Sequence, residues 1–490
     1  MVIPTITIDI GTTSVKLCLF DSNAELVASA RHPTPTATDD TGEIYDLPAL
    51  LGDVKRFIQA LRPAQRAVVQ RIAITGVGES GGLVRPDLSL ASPMIVWHDQ
   101  RGAGYLARLT AADRRLIYRV TGLPVSGNYG LSKTAWAVDR LGGATADAQW
   151  LNIAEYLAAL MSGQRWSEPS LASRTMALDL SSGSWSAEVC GLVGLDVSVF
   201  PELRPAAAGF PITAAFAEEV GLVTGALVHV AGHDHMVGAV GAALQPGELL
   251  NSTGTTEGLL FLSDAPSLDE DAERFKLANG LACTGSHYTL FASIPTGGSA
   301  FATLQRMLGV DADRLAACLS DLHVRYVNDQ IDLDAVPLVL PQFRGSPPPT
   351  KNPLARGLIS GLRTDTRMED IVFGCFLGMA LQFCEVLELF RVSTERVKVI
   401  GPASGNPLWL QLKADVLGTP LVASRFPEVV SRGAQALASG VAGAWDETSP
   451  YDVDVDATRH ARLTEWRSDV RAQWEYLKGF PSSATASGAG

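Results

Sequence analysis

Alternating apolar and polar positions open the chain. Residues 5–10 interleave β-branched with polar side chains, the run breaks at Gly11-Thr12-Thr13-Ser14, and alternation resumes over 15–21. That pattern predicts a hairpin whose tip is built from a glycine and hydroxyls, and residues 24–31 extend it into a meander. Leu50, Leu51, Val54, Phe57, Ile58 and Leu61 recur at helical spacing, predicting a helix over 47–61. Short strands are expected at 71–75, 82–84 and 94–97, and helices over 101–119, 132–140 and 148–161. Residues 168–180 read as strand and turn without assignable chemistry. A strand at 227–230 then leads into a helix of small residues over 236–244.

The second half returns to the opening pattern. A strand at 249–252, the turn Gly254-Thr255-Thr256 and a return strand at 257–262 repeat the first hairpin, so the chain reads as an internal duplication. Thr296-Gly297-Gly298-Ser299 opens an amphipathic helix. The longest apolar run, 371–390, carries Gln382, Glu385 and Glu388 and is broken by Gly374 and Gly378; it predicts a buried helix at a lobe interface rather than a membrane span. The proline-rich loop 340–349 reads as a surface crossing between lobes. A strand at 397–400 ends in a small-residue loop before a helix at 410–417, and a further helix is expected over 430–445.

Length turns this pattern into two lobes. At 490 residues, 47% hydrophobic and 19% charged, the chain is too long for one core. The expected division is 1–245 and 246–480, parted at Gln245-Pro246-Gly247, with 481–490 as a disordered tail. A net charge of −13 argues against nucleic-acid or anionic-membrane partners, whose binding is dominated by clustered Lys and Arg. The six cysteines are scattered without a C-x-x-C pair, and the N-terminus shows no charged-then-apolar leader, so a reducing cytoplasm is expected. A homodimer is left open.

Candidate chemistry gathers at the turns. In each hairpin a glycine lets the backbone approach an anion and the threonine hydroxyls can donate to phosphate oxygens, while Asp9 can face a hydrated Mg²⁺. Asp234, at a helix N-terminus between His233 and His235, can serve as a general base. His235 is expected to hydrogen-bond a substrate hydroxyl or to orient that carboxylate. Trp97, Asp99 and Arg101 offer an aromatic face, a carboxylate and a guanidinium, a set suited to a polyol, although Asp99 can equally be a helix cap. Ser404 and Asn406 can cap the 410–417 helix or bond a purine or ribose. His229, His233 and His235 lack companion ligands for a metal. Gly76-Val77-Gly78-Glu79-Ser80-Gly81 matches G-x-G-x-x-G, but a strand and turn follow it where a dinucleotide site needs a helix.

Taken together the motifs resemble the FGGY family of carbohydrate kinases, in the sugar kinase, actin and heat-shock chaperone ATPase superfamily. The likeness covers about residues 3–450. It rests on I-D-I-G-T-T-S-V-K from Ile8, W-H-D-Q-R from Trp97, G-H-D-H from Gly232, S-T-G-T-T-E from Ser252, N-P-L-A-R-G-L-I-S-G-L from Asn352 and N-P-L-W-L-Q-L-K-A-D-V-L-G from Asn406. The resemblance implies an α/β fold of two ribonuclease-H-like, actin-like ATPase lobes flanking a catalytic cleft, with sugar against the first lobe and ATP against the second. It implies Asp234 as catalytic base. It also implies a nucleotide set of Asp9, Gly11, Thr12, Thr13, Lys16, Gly254, Thr255, Thr256, Gly298, Gly401, Ala403, Ser404 and Asn406, with Mg²⁺ at Asp9. Where the family usually shows consecutive glycines, the adenosine loop here reads Gly401-Pro402-Ala403-Ser404. Glu79 lies in the loop where members read their sugar, and joins Trp97, Asp99, Arg101, Asp234 and His235 as substrate residues; the loop matches neither the typical glycerol-kinase nor the typical xylulose-kinase pattern.

The expected activity is therefore ATP-dependent phosphorylation of a small sugar, ketose or polyol. Rival readings are an ATP-dependent binding or chaperone-like protein on the same lobes, or a sugar sensor that has lost catalysis. Lobe closure about residues 245–248 is expected to exclude water from the transferred phosphate.

Overall fold

The computed structural model describes residues 2–142 and 147–480; the tail expected at 481–490 lies outside them. Strands β1 (Thr5–Ile10), β2 (Ser14–Phe20), β3 (Leu26–Pro33), β4 (Arg71–Gly76), β5 (Phe210–Pro211) and β6 (Leu227–His233) form one sheet, ordered β5-β6-β4-β1-β2-β3. A second sheet holds β7 (Glu248–Thr253), β8 (Glu257–Ser263), β9 (Ala278–Leu281), β10 (Tyr288–Ile294), β11 (Arg396–Ile400), β12 (Leu421–Ser424) and β13 (Pro450–Val453), ordered β9-β10-β8-β7-β11-β12-β13. The two share one plan. In each, a hairpin's first strand is antiparallel to the second and parallel to a later strand, which is parallel to the next, which pairs antiparallel with an edge strand. The α/β fold of two sheet-containing lobes stands as expected.

The helices that matter for the cleft are α1 (Leu47–Ala60), α2 (Gly130–Arg140), α3 (Ile153–Ser162), α4 (Asp234–Gly241), α5 (Ser299–Leu308), α6 (Met368–Leu389), α7 (Pro407–Leu417) and α8 (Val429–Ser439). α4 and α8 lie between the sheets in a core of small side chains, among them Ala73, Ala231, Ala239, Ala242, Ala434 and Ala438. Their backbones nearly touch: a Cβ on Gly241 would sit 2.1 Å from the Val429 carbonyl oxygen, and one on Gly433 2.1 Å from that of Val237. α8 comes from the second half yet packs on β1, β4 and β6 of the first sheet.

Several local expectations are corrected. The pattern over 101–119 is two helices, Ala103–Ala107 and Ala111–Thr121, because the Thr110 side chain accepts from Asp113 N and starts a new one. Residues 148–161 divide likewise: Gln149–Leu151 pairs with Gly82–Val84 as a strand, and α3 begins after the Asn152 cap. In 94–97 only Ile95 pairs, bridging to Ile44 and Gly81. Pro169–Ala172 is a turn of helix, not strand.

The proline-rich loop is largely buried. Ser346 N donates to Asn352 O and Asn352 N to the Ser346 hydroxyl, which ties the loop to the segment that follows it, and the proline rings present no donors. α6 lies inside the second half, against α7, α5 and β10, not at the seam. By length and composition it could cross a membrane, but 78% of its most apolar stretch is buried in the protein.

Candidate active site

The parallel strands bring the chemistry to one edge of each sheet. β1 and β6 flank β4, with Asp9 and Gly232 both in register with Thr75. The carboxylates of Asp9, at the end of β1, and Asp234, just beyond β6, therefore emerge beside the Gly76–Gly81 loop, the carboxyl-end position where open α/β sheets bind ligands. In the second sheet Ser252 is in register with Ile400, which sets the Gly254 turn beside Gly401. One bond recurs in both: Thr75 Oγ1 donates to Gly232 O at 2.7 Å and Thr253 Oγ1 to Ile400 O at 2.9 Å.

Asp234 is the first residue of α4. Its Oδ1 accepts from His235 N at 2.7 Å, and His233 Nδ1 lies 3.1 Å away. Burial pushes its pKa up to about 6; the nearby Asp9 and Glu79 charges add to the rise, and His235 opposes it. Burial and the Arg174 charge hold His233 well below the usual histidine range, leaving it neutral. Glu79 accepts from Arg174 Nε at 2.9 Å and Nη2 at 2.7 Å, and its other oxygen lies 3.9 Å from His233 Nε2. Asp234, His233, Glu79 and Arg174 form one connected group.

At the first turn, Thr12 and Thr13 are exposed, Gly11 N bonds Ser14 O at 3.1 Å, and the Trp97 indole N–H donates to Thr12 Oγ1 at 3.0 Å. Trp97 thus joins the turn to the segment that carries Asp99 and Arg101. Asp9 is buried with one oxygen 2.9 Å from Lys16 Nζ; that pairing, ahead of the loss on burial, raises the Lys16 ammonium above its usual range. The other Asp9 oxygen takes no part in that ion pair.

At the second turn, Gly298 N donates to Gly254 O at 2.8 Å and Gly297 N to Thr255 O at 3.1 Å. A Cβ at Gly298 would meet Gly254 O at 2.6 Å, and one at Gly401, whose φ is +94°, would meet Thr253 O at 2.1 Å. Thr255 and Thr256 are half-buried. Behind them Glu257, fully buried, pairs with Lys413 of α7, which also donates to Asn251 at 2.8 Å. The Asn406 Nδ2 and the hydroxyls of Thr296 and Ser299 are buried without partners. Glycines packed against carbonyls beside orphaned donors suit phosphate and ribose oxygens.

Some expected ligands are spent internally. Arg101 donates to both Asp99 oxygens, to Asp39, to Thr41 and to Glu43 O, which leaves no nitrogen for a sugar. Asp99 and Arg101 are a structural clamp. His235 Nδ1 bonds Ser252 Oγ at 2.7 Å and its ring packs on Phe291, so it joins α4 to the second sheet rather than presenting Nδ1 to substrate. Ala403 N is taken by Thr253 Oγ1 at 3.0 Å, and the Ser404 hydroxyl by Gly401 O at 2.8 Å. Asn406 caps α7 through Trp409 N while its Nδ2 stays free.

Other residues went unseen in the sequence. Arg174 lies in the 168–180 segment that offered no chemistry. Lys133 of α2, fully buried, donates to Glu79 O, Val96 O and Trp97 O at 2.8, 3.0 and 2.6 Å, and burial pulls it down to about 7. Asn152 Nδ2 pins Val77 O and Gly78 O at 2.9 and 3.0 Å. The G-x-G-x-x-G run is a packing device: a Cβ at Gly78 would strike His233 at 2.2 Å and one at Gly81 would strike Trp150 at 2.4 Å.

Residues 5–241 match the N-terminal domain of the FGGY family of carbohydrate kinases, and residues 249–442 its C-terminal domain. A glycerol kinase of Bordetella pertussis is 26% identical, with 97% of each chain covered. Among solved structures, a gluconate kinase from Lactobacillus acidophilus superposes with a TM-score of 0.83 at 19% identity, covering 97% of this chain and 100% of that one. Plasmodium falciparum glycerol kinase with ADP gives 0.80 at 19% identity over 96% and 98%. With both domains matched in order along nearly its whole length, the chain belongs to the FGGY family of carbohydrate kinases.

Proposed function

We propose that the protein transfers the γ-phosphoryl group of ATP to a hydroxyl of a small sugar, ketose or polyol, with Asp234 as the general base. The observation that carries this reading is the half-buried Asp234 carboxylate at the start of α4, held by His235 N–H at 2.7 Å at the strand ends beside Asp9 and Glu79; loss of solvent there raises its pKa to about 6. Such a group is ionised at neutral pH yet basic enough to take a hydroxyl proton as the oxygen attacks phosphorus. His235 N–H holds one Asp234 oxygen in place; the other receives the proton. Glu79, fixed by Arg174, and the Trp97 face orient the sugar. The nucleotide phosphates lie against residues 11–13 and 254–256, with Gly298, Gly401 and Asn406 toward the nucleoside. Mg²⁺ held at Asp9 would neutralise charge on the phosphate oxygens. In this division of labour residues 1–245 hold sugar and base, and residues 246–480 hold ATP, with closure about 245–248. The family membership supports the reaction class, and the glycerol and gluconate kinases among the relatives bracket the size of the acceptor.

Asp234→Asn keeps the shape and removes the base. In a coupled assay with a phosphorylated acceptor, kcat is expected to fall about 10²- to 10⁴-fold with nucleotide affinity retained. Near-normal turnover in that variant would remove Asp234 from the mechanism and leave the phosphoryl transfer to another group.

A further inference from the structure

The end of β6 is not a plain strand end. Its pairing with β4 skips a residue between Val230 and Gly232, a bulge, and Gly232 takes φ +123°. A bulge re-aims the side chains that follow it, and Asp234 comes two residues later. Two hydroxyls hold the peptide unit that joins Gly232 to His233. Thr75 Oγ1 donates to its carbonyl oxygen at 2.7 Å, and its N–H donates to Ser170 Oγ at 2.9 Å. A planar peptide held at both polar ends is fixed in rotation about the strand.

Ser170 stands in the single helical turn Pro169–Ala172 and is 0% exposed. A hydroxyl offers one donor and two acceptor positions, and this one uses all three. It donates to Glu168 Oε2, and it accepts from His233 N and, at 3.3 Å, from the Cys283 thiol. Glu168 Oε2 is fixed in turn by Ser170 N at 2.8 Å and Leu171 N at 3.1 Å. Glu168 N donates to one oxygen of buried Glu155 at 3.1 Å, whose other oxygen takes Asn152 N at 2.7 Å. One buried set of bonds therefore runs from Asn152, which pins the Glu79 loop, to the peptide before Asp234. The bulge glycine lies hard against it. A Cβ on Gly232 would press on the Ser170 hydroxyl and lie 2.6 Å from Cys283 Sγ and 2.9 Å from Glu168 Oε2.

We propose that Ser170 is a positioning residue for the base: its hydroxyl, oriented by Glu168, sets the Gly232–His233 peptide and through it the direction of the Asp234 carboxylate. The proposal rests on the reading of Asp234 as general base. Ser170 itself has no exposed surface with which to meet an acceptor or a nucleotide. Its loss acts on the step that Asp234 carries, because alanine would leave the His233 N–H buried without its acceptor and free the peptide to turn. A carboxylate displaced by about 1 Å from its proton donor costs on the order of a hundredfold in rate.

A double-mutant cycle on the full chain, assayed with a phosphorylated acceptor, tests this. Ser170→Ala is expected to lower kcat about 10- to 100-fold, with the KM for ATP held within about twofold. In an Asp234→Asn background the same substitution should lower kcat by no more than about twofold further, since a residue acting through Asp234 then has nothing left to position. Ser162→Ala is the control for lost stability. It also removes a buried hydroxyl from the first lobe, one bonded to Ala158 O and Gln164 N, and should leave kcat within about twofold. Should Ser170→Ala not fold, Ser170→Cys takes its place in the cycle, because a thiol is a weak acceptor; reductant keeps it from pairing with Cys283. A kcat in the Ser170 variant equal to that of Ser162→Ala, or equal fold-losses with and without Asp234, would overturn the proposal. Near-normal turnover in Asp234→Asn alone would overturn the base reading and the proposal with it. A large Asp234→Asn effect beside an inert Ser170 variant would overturn the proposal only.

Discussion

Two carboxylate–guanidinium pairs flank the cleft, and they differ in what they leave unfinished. Asp99 and Arg101 stand two residues apart, and every Arg101 nitrogen has a protein acceptor. Glu79 and Arg174 stand 95 residues apart, and Arg174 Nη1 has none. The pair close in sequence is completed by Asp39, Thr41 and the Glu43 carbonyl, and so fastens the 39–43 loop to the Trp97 segment. A pair assembled from distant segments is held by the fold, with Lys133 and Asn152 fixing the Glu79 loop from beneath, and so can keep a donor in reserve. The satisfied pair is complete within the protein, and the unsatisfied pair retains one unpaired donor.

Removing either arginine tests that contrast. Arg174→Ala releases Glu79 and displaces it beside His233 and Asp234; kcat/KM for phosphorylation is expected to drop about a hundredfold or more, with Arg174→Lys recovering little because the fork geometry is lost. Arg101→Ala instead strands Asp99 and should lower unfolding free energy by about 3–5 kcal/mol. Chemical denaturation reads that loss, while kcat in the folded protein should change less than about tenfold. Turnover that fell equally in both variants, with equal melting, would erase the distinction between the pairs.

The same contrast explains how far the sequence could be read. Both hairpins, the duplicated plan and the helix at residues 47–61 were legible because their patterns are local and periodic. The position of Asp234 was legible because a strand pattern ends just before it and a run of small residues follows it into a helix. Asp99 and Arg101 were read as ligands from residue type, but only three-dimensional neighbours, Asp39, Thr41 and Glu43, reveal that the Arg101 donors are already taken; His235 orients the Asp234 carboxylate, one of its two expected roles, through its backbone N–H. Arg174 was missed for the converse reason. It lies in an irregular segment after a single turn of helix, and its partner Glu79 stands 95 residues away in the chain. A charged residue in an otherwise small or apolar stretch was the one available signal, and it applies equally to Lys133 in α2 and Lys413 in α7. The proline-rich loop was misplaced to the surface because its burial rests on hydrogen bonds it makes to itself.

The most direct test of Asp234 as proton acceptor is the pH dependence of kcat/KM for phosphoryl transfer. Burial raises this carboxyl to about 6, so the free enzyme should lose activity as pH falls through that value and the base becomes protonated. His233 is already neutral in this range, and Arg174 remains a cation because the Glu79 and Asp234 charges outweigh the effect of burial. The expected profile has an acid limb of unit slope with an apparent pKa near 6. Activity that stayed level down to about pH 4.5, near the ordinary carboxylate range, would contradict Asp234 acting as the base with a raised pKa.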